Sequence, residues 1–371
     1  MAGNGELNMR FSAATTHEWV RDGDVGRDIV VLMSGGVDSS VTALLLRDAG
    51  YNVAGITLQI PLAENCSARR PCCGLEAGYV ARDLGIAHYY LDVREAFERL
   101  VIEPFRKAYE QGRTPSPCVD CNTLFKFGAV WDAIEQRFGA CDLATGHYAK
   151  VIKDKDHAFL ARGDDRSRDQ SYFLYGIPVN RLNQFHLPLA QSSKEEVRRL
   201  AKEAGLPVAR RQDSMELCFA AEGDYRAALG LPPENGPVLD VSGNVIGEHK
   251  GIVNYTIGQR KGVRIAAHKP MYVISIDAPN NSITIGERKN ALKSDVVAEN
   301  VNILIPEIIM STSELFGKIR SQGEPTSCVL VQSDDSTIAV RFNEPQFAPT
   351  PGQRLVLYDS LDRVVAGGVI C

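Results

Sequence analysis

The stretch Ser34-Gly35-Gly36-Val37-Asp38-Ser39-Ser40 decides how this 371-residue chain is read. Just before it, Ile29-Val30-Val31-Leu32-Met33 is a continuous apolar run with the β-branched character of a buried parallel strand. Just after it, Val41-Thr42-Ala43-Leu44-Leu45-Leu46 predicts the first turns of a helix that ends at Gly50. A strand, a glycine turn and a helix start, in that order, make an anion site. Backbone N–H groups converge there, the helix dipole favours negative charge, and missing Cβ atoms let a phosphate approach. No Gly-Lys-Ser/Thr closes the loop, so it is not of the Walker type.

Working outward, Val53 to Leu58 predicts a second strand, Leu75 to Leu84 a helix closed by Gly85, and Ala87 to Leu91 a third strand. Helices are expected over Ala96 to Tyr109 and Asn122 to Phe138, and a fourth strand over Asp142 to Thr145, just before Gly146-His147. Strands alternating with helices predict a parallel sheet, and such sheets bind ligands at the carboxyl ends of their strands. Ser34, Leu58 and Gly146 all fall at such ends. Ser192-Ser193-Lys194-Glu195-Glu196 carries a capping-box pattern that opens another helix, stopped by Gly205-Leu206-Pro207. Beyond Asp213 short alternating segments such as Met271 to Ile276, Ser282 to Ile285, Ser327 to Val331 and Thr337 to Phe342 argue for small barrels or sandwiches. Residues 1–26 are polar, without periodicity, and read as a mobile tail.

Lys+Arg 41 against Asp+Glu 46 leaves a formal charge of −5, ordinary for a cytoplasmic enzyme. Any nucleic-acid partner therefore needs local basic patches. Arg198, Arg199, Lys202, Arg210 and Arg211 are one candidate, readable as a phosphate-binding surface or as a solvated helix face, with Arg260, Lys261 and Arg264 further on. No run is apolar enough to span a membrane, and no secretory leader is evident. Nine cysteines in such a chain are expected as thiols, metal ligands or catalysts rather than as a disulfide framework.

Two cysteine segments stand out. In Gly112-Arg113-Thr114-Pro115-Ser116-Pro117-Cys118-Val119-Asp120-Cys121-Asn122, two prolines hold the chain extended and Cys121 is expected at or just before a helix start, where the dipole favours a thiolate. Roughly a hundred residues later comes Asp213-Ser214-Met215-Glu216-Leu217-Cys218-Phe219. A C-x-x-C by itself leaves zinc, iron–sulfur and redox chemistry open. Cys72 and Cys73 read as packing residues, and Cys66, Cys141, Cys328 and Cys371 are scattered.

The Ser34 to Ser40 run resembles the SGGxDS signature of the PP-loop ATP pyrophosphatases. With Cys72-Cys73-Gly74-Leu75-Glu76, Gly112 to Pro115, Cys121-Asn122, Thr145-Gly146-His147-Tyr148-Ala149, Arg168 to Leu174, Asp213-Ser214, Cys218-Phe219, Tyr255 to Gly262 and Thr350 to Gln353, the chain is similar from about Asp28 to Ile370 to the bacterial tRNA-specific 2-thiouridylases. That resemblance implies a PP-loop adenine-nucleotide α-hydrolase-like α/β domain over 27–212, a small central domain over 213–277 and a C-terminal β-barrel over 278–371. It assigns ATP to Leu32, Met33, Ser34, Gly35, Gly36, Val37, Asp38, Ser39, Leu58 and Gly146, with Asp38 expected to hold Mg2+ on the pyrophosphate. It assigns tRNA contacts to Ser116, Pro117, Cys118, His147, Arg168, Asp169, Gln170, Arg320, Ser321 and Gln353. Cys121 and Cys218 match the catalytic pair, with a persulfide on Cys218 and a transient Cys121–Cys218 disulfide. A cysteine desulfurase or a sulfur-carrier protein is the implied sulfur donor. Some relatives carry an acidic residue where Cys118 stands, and Arg168 replaces a lysine. Alternatives remain at this level: a [4Fe–4S] cluster on Cys118, Cys121 and Cys218, a PP-loop amidating ligase, or a tRNA-binding protein without catalysis.

Overall fold

Asp-Ile-Val-Val-Leu forms strand β2 (Asp28–Leu32), and all five of its residues are buried. Such a strand needs neighbours on both sides. It runs parallel to β3 (Asn52–Gln59) and to β5 (Asp142–Ala144), while β4 (Ala87–Asp92) extends the sheet beyond β3. With β1 (Arg10–Ala13) and β8 (Phe185–His186) the order is β1-β4-β3-β2-β5-β8, which places β2 inside the sheet. The computed structural model describes residues 7–21, 27–61, 75–155, 157–211, 217–220, 225, 229–231, 234–263, 269–311, 314–334 and 336–371. Cys66, Cys72, Cys73, Asp213, Ser214 and Arg264, named above, lie outside them.

Helices α1 (Val37–Asp48) and α2 (Leu75–Leu84) cover one face of the sheet. Val41 and Leu44 of α1 join Ala77, Val80 and Leu84 of α2 in a core with Ile29, Val31 and Met33. The next helical segments are α3 (Arg94–Phe97), a π-helical turn over Glu98–Ile102, and α4 (Glu103–Glu110). Then α5 (Pro117–Asp120) runs into a π-helix over Cys121–Val130 and on into α6 (Trp131–Phe138). The helix α7 (Lys194–Glu203) adds Val197 and Ala201 to the core and starts with the expected capping box between Ser193 and Glu196. A hairpin of β6 (Ala149–Asp154) and β7 (His157–Arg162) was not evident in the sequence.

The polar N-terminal stretch, expected to be a tail without an element, instead supplies β1, antiparallel to β4. Its two large aromatic residues explain this. Phe11 and Trp19 each meet the Phe138 ring edge-on, at 5.3 and 5.5 Å, and Trp19 N donates to the Tyr89 hydroxyl at 3.0 Å.

By internal contacts the chain forms two units, Met1–Val101 with Cys118–Tyr225, and Ile102–Pro117 with Arg226–Cys371. In the second, β9 (Asn235–Leu239), β10 (Val245–Lys250), β11 (Tyr272–Asp277) and β12 (Ser282–Gly286) form a four-stranded sheet around Val238, Val273, Ile283 and Ile285. The boundary expected after residue 277 falls between β11 and β12, which pair antiparallel, and a short 3-10 turn over Arg288–Ala291 leads on to Leu292. From there β13 (Leu292–Ile303), β14 (Leu315–Lys318), β15 (Thr326–Ser333), β16 (Thr337–Phe347), β17 (Arg354–Tyr358) and β18 (Val364–Ile370) close into the expected barrel. Long β13 makes closure possible by pairing with both β16 and β18. Among the described residues no helix is long and apolar enough to cross a membrane.

Candidate active site

The chain leaves β2 at its carboxyl end and turns sharply at Gly35, whose φ of 76° is a left-handed conformation that glycine adopts without strain. Gly36 is the N-cap of α1, and no side-chain hydrogen bond caps it among the described residues. The loop is held from within. Ser39 Oγ donates to Gly36 O at 3.2 Å and accepts from Ser34 N at 3.2 Å, while Ser40 Oγ donates to Gly36 O at 2.9 Å. A rigid turn presenting the N–H groups of a helix's first turn is an anion cradle.

Neighbouring strands complete the floor. Leu32 pairs with Ile56 and Val31 with Ala144, so Leu58 and Gly146 lie two residues past those partners at adjacent strand ends. Gly146 is there for space: a Cβ would come within 2.8 Å of Asp38 C and 2.9 Å of Ser39 N. The chain just past β5 therefore passes directly against the first turn of α1.

Several side chains at this loop escaped sequence reasoning. Lys194, nearly fully buried at the start of α7, places Nζ 2.7 Å from both carboxylate oxygens of Asp38. Tyr148 donates its hydroxyl to Asp38 Oδ1 at 2.7 Å. Arg211 Nη1 donates to Gly35 O at 3.2 Å and sits 2.9 Å from Glu76 Oε1. Arg198 turns inward too, donating to Ala209 O and Arg211 O at 3.2 and 2.7 Å. Arg198 and Arg211 thus leave the basic surface patch the sequence allowed. Asp38 has the donor chemistry for Mg2+, which binds through one or two carboxylates plus phosphates, but both its oxygens are held by Lys194.

At the sulfur segment the helix starts at Pro117, four residues before Cys121, instead of at Cys121 as expected. Proline suits the first helical position because its φ is preset and its missing N–H is not needed there. Cys121 thus lies one turn inside and is buried, while Cys118 is exposed. Burial pushes the Cys121 thiol above its ordinary value, with Asp120 adding and Lys126 opposing. Desolvation, with Cys121 and Asp120 adding against Lys126, pushes Cys118 up to about 11. Both are thiols at neutral pH in this state.

Lys126 is the cation of the segment. It donates to Asn122 Oδ1 at 3.2 Å, and Asn122 Nδ2 donates to Phe173 O at 3.0 Å. Five residues separate Lys126 from Cys121. On a 3.6-residue helix they would point well apart, whereas the wider i→i+5 winding brings positions five apart towards the same side. Cys218, exposed in a turn, is followed by buried Phe219, which packs edge-on against Phe97 at 6.0 Å. Phe97 in turn meets Phe125 at 5.3 Å, one turn beyond Cys121. The two cysteine segments therefore share one aromatic cluster. Among the described residues no cysteine is joined in a disulfide. Among the described residues no group of three or more His, Cys, Asp or Glu is placed to hold a metal ion. As arranged, Cys118, Cys121 and Cys218 do not fit a cluster bound through three irons.

The expected tRNA-contact residues divide. His147 Nδ1 lies 2.7 Å from Thr145 Oγ1, and burial, with Lys126 adding, lowers its pKa to about 3, so it is neutral. The Asp169 side chain is 1% exposed and is consumed by Arg162 at 3.2 Å and by Gly163 N, Ser171 N and Ser171 Oγ. Its carboxylate shapes the turn. Gln170 Oε1 accepts from Tyr148 N at 2.9 Å, and Arg168 N donates to Asp165 O at 3.0 Å in the same turn. In the second unit Gln353 Nε2 donates to Thr114 O at 2.9 Å and Pro115 O at 3.3 Å, and Thr114 N donates to Pro351 O at 2.9 Å. Gln353 thus braces the segment that carries Ser116 and Pro117. Arg320 donates to Ala348 O at 2.7 Å, and Ser321 is half-buried beside it.

A glycine-turned anion cradle at the carboxyl end of a central parallel strand defines the class, a nucleotide-using α/β enzyme of the PP-loop kind. The family model described as the tRNA methyl transferase HUP domain matches residues 27–222, its PRC-barrel domain 229–287, and the aminomethyltransferase beta-barrel domain 293–370. A tRNA-specific 2-thiouridylase of Syntrophus aciditrophicus (strain SB) is 44% identical over 349 residues, covering 92% of each chain. One from Caldanaerobacter subterraneus subsp. tengcongensis is 39% identical over 360 residues, 94% of this chain and 98% of the other. One from Carboxydothermus hydrogenoformans is 41% identical over 360 residues, 93% and 98%. The chain belongs to the tRNA-specific 2-thiouridylase family.

Proposed function

We propose that the protein thiolates the wobble uridine of tRNA at position 2, using ATP to activate the oxygen and a cysteine persulfide to supply the sulfur. Hydroxide is a poor leaving group from the C2 carbonyl. Adenylation of O2, with release of pyrophosphate from the cradle at Ser34 to Ser39, converts that oxygen into a good one. The terminal sulfur of a Cys218 persulfide then bonds to C2 as AMP departs. The Cys121 thiol next attacks Cys218 Sγ. The S–S bond breaks towards the sulfur on C2, which becomes the thiocarbonyl, and a Cys121–Cys218 disulfide remains. An external thiol reductant restores both cysteines, and a cysteine desulfurase or sulfur-carrier protein reloads Cys218.

The observation that carries this reading is that one α/β unit holds the anion cradle together with Cys118, Cys121 and Cys218, with the Phe125–Phe97–Phe219 cluster packed beside the last two. Mg2+ bound with ATP would neutralise charge on the departing pyrophosphate, and Asp38 is the carboxylate at that loop. The target base has to leave its stack to be reached. Arg168, Arg320 and neutral His147 are the side chains proposed to meet the tRNA.

The test is to supply persulfide-loaded protein with ATP and unmodified tRNA, and to analyse the nucleosides by mass spectrometry. 2-Thiouridine with stoichiometric AMP and pyrophosphate is expected. Thiolation without ATP consumption, or AMP formation unchanged when Cys121 and Cys218 are both serine and yet thiolation continues, would refute it.

A further inference from the structure

Four charged side chains surround the phosphate loop and cancel in pairs: Lys194 with Asp38 at 2.7 Å, and Arg211 with Glu76 at 2.9 Å. Neither cation is there by chance. The Lys194 side chain is 6% exposed and its Nζ lies 5.9 Å from the Tyr148 ring centroid. The Arg211 backbone is gripped by Arg198, and its guanidinium already touches the loop at Gly35 O. A buried ammonium is costly unless paired. Beside an anion cradle, the carboxylate it pairs with need not be the partner it keeps.

A nucleotide polyphosphate brings several negative charges to the cradle, against one on each carboxylate. The lysine stem is flexible and its ammonium has three donors, so it can turn from a carboxylate to a phosphate oxygen. The arginine fork can keep Gly35 O on one nitrogen while another takes a phosphate.

We propose that Lys194 and Arg211 are phosphate-binding residues held in reserve by Asp38 and Glu76, and that entry of the polyphosphate transfers both cations to it and releases both carboxylates. The inference rests on the ATP reading above and deepens it. It also moves Arg211 from a tRNA surface to the nucleotide, and makes Asp38 available beside the phosphates only after they arrive.

The test is calorimetric binding of inorganic tripolyphosphate in EDTA, with ATP as a second probe, to the full chain. Lys194→Met and Arg211→Gln should each weaken tripolyphosphate roughly tenfold, the scale of a charge-assisted hydrogen bond. Asp38→Asn and Glu76→Gln remove the competing carboxylates and should tighten it, by about threefold, because the cation no longer has to be taken from an anion. Lys194→Arg should bind within a few fold of the parent. The opposite signs carry the argument. If the pairs only hold the helices together, both members of a pair shift affinity in the same direction, and the proposal is overturned. Should Lys194→Met not fold, the uncharged pair Asp38→Asn with Lys194→Met replaces it, and parental affinity in that variant also overturns the proposal. A parent protein that binds neither ATP nor tripolyphosphate would instead sink the ATP reading itself.

Discussion

At the phosphate loop the working groups are mostly backbone, the N–H donors of one turn fixed by Gly35 and by serine bonds to Gly36. Over Pro117–Val130 they are side chains, the Cys121 thiol and the Lys126 ammonium, both carried on a π-helix. Backbone donors keep their chemistry when neighbours change, so that site is sensitive to shape. Thiols take their reactivity from surroundings, and this site is sensitive to charge and burial. Substitutions at the two should therefore fail in different ways.

The largest effect is expected at sulfur. Cys121→Ser and Cys218→Ser should each lower thiolation by at least roughly a thousandfold, because neither thiol can stand in for the other. Both should leave ATP affinity within a few fold. Loss of ATP binding in either variant would break the separation between the two regions.

At the phosphate loop the damage should be steric. In Gly146→Ala the new Cβ meets Asp38 and Ser39 backbone within 3 Å, so the first turn of α1 has to move. ATP affinity should fall about tenfold or more, with the reactivity of Cys121 and Cys218 towards iodoacetamide unchanged. Gly35→Val adds left-handed strain at φ 76° of about 1–2 kcal/mol and should fail more completely. Equal affinity in Gly146→Ala and the parent would show that the cradle tolerates displacement.

How legible each region is in sequence follows from the same contrast. A strand, glycine pair and helix start are local patterns, so residues 29–50 could be read directly, and the capping box at Ser193 likewise. Lys194 and Arg211 reach the loop only through the fold, from more than 150 residues away. Lys126 illustrates a different failure. Its spacing from Cys121 carries no meaning on an α-helix, and nothing in Asn122-Thr123-Leu124-Phe125 announces π winding. Asp169 is marked by the resemblance and not by any local pattern, and the hold of Arg162 and three further donors on its carboxylate depends on contacts made by the fold.

A smaller effect tests the electrostatics of the sulfur segment. Lys126 holds the Cys121 and Cys118 pKa values down against burial, so Lys126→Met should raise both. Below its pKa a thiol alkylates in proportion to its thiolate fraction, so the variant should react more slowly at every pH from 7 to 9, by roughly three- to tenfold. The parent's buried Cys121, raised above its ordinary value, should still gain about tenfold in rate per pH unit over that range. A plateau in that profile below pH 9 would contradict the burial argument.

The smallest effect is expected for Cys118→Ser. Its thiol takes no part in the proposed relay, so thiolation should stay within about threefold of the parent. An inactive Cys118→Ser protein that binds stoichiometric iron and sulfide when prepared without oxygen would replace the relay with cluster chemistry. It would also require the segment to adopt an arrangement other than the one described here.

The edge strand β1 also sets a timetable for biosynthesis. Arg10 pairs with Asp92, which is 82 residues later in the chain. At about 5–20 residues per second the ribosome needs roughly 4–16 s to deliver that partner, and longer to deliver Phe138 for Phe11 and Trp19. Through that interval β2 and β3 can pair while the earlier-made strand waits outside the growing sheet. Strand β1 thus cannot join the sheet until β2, β3 and β4 have all been made, and the Phe11 and Trp19 rings wait longer still for Phe138.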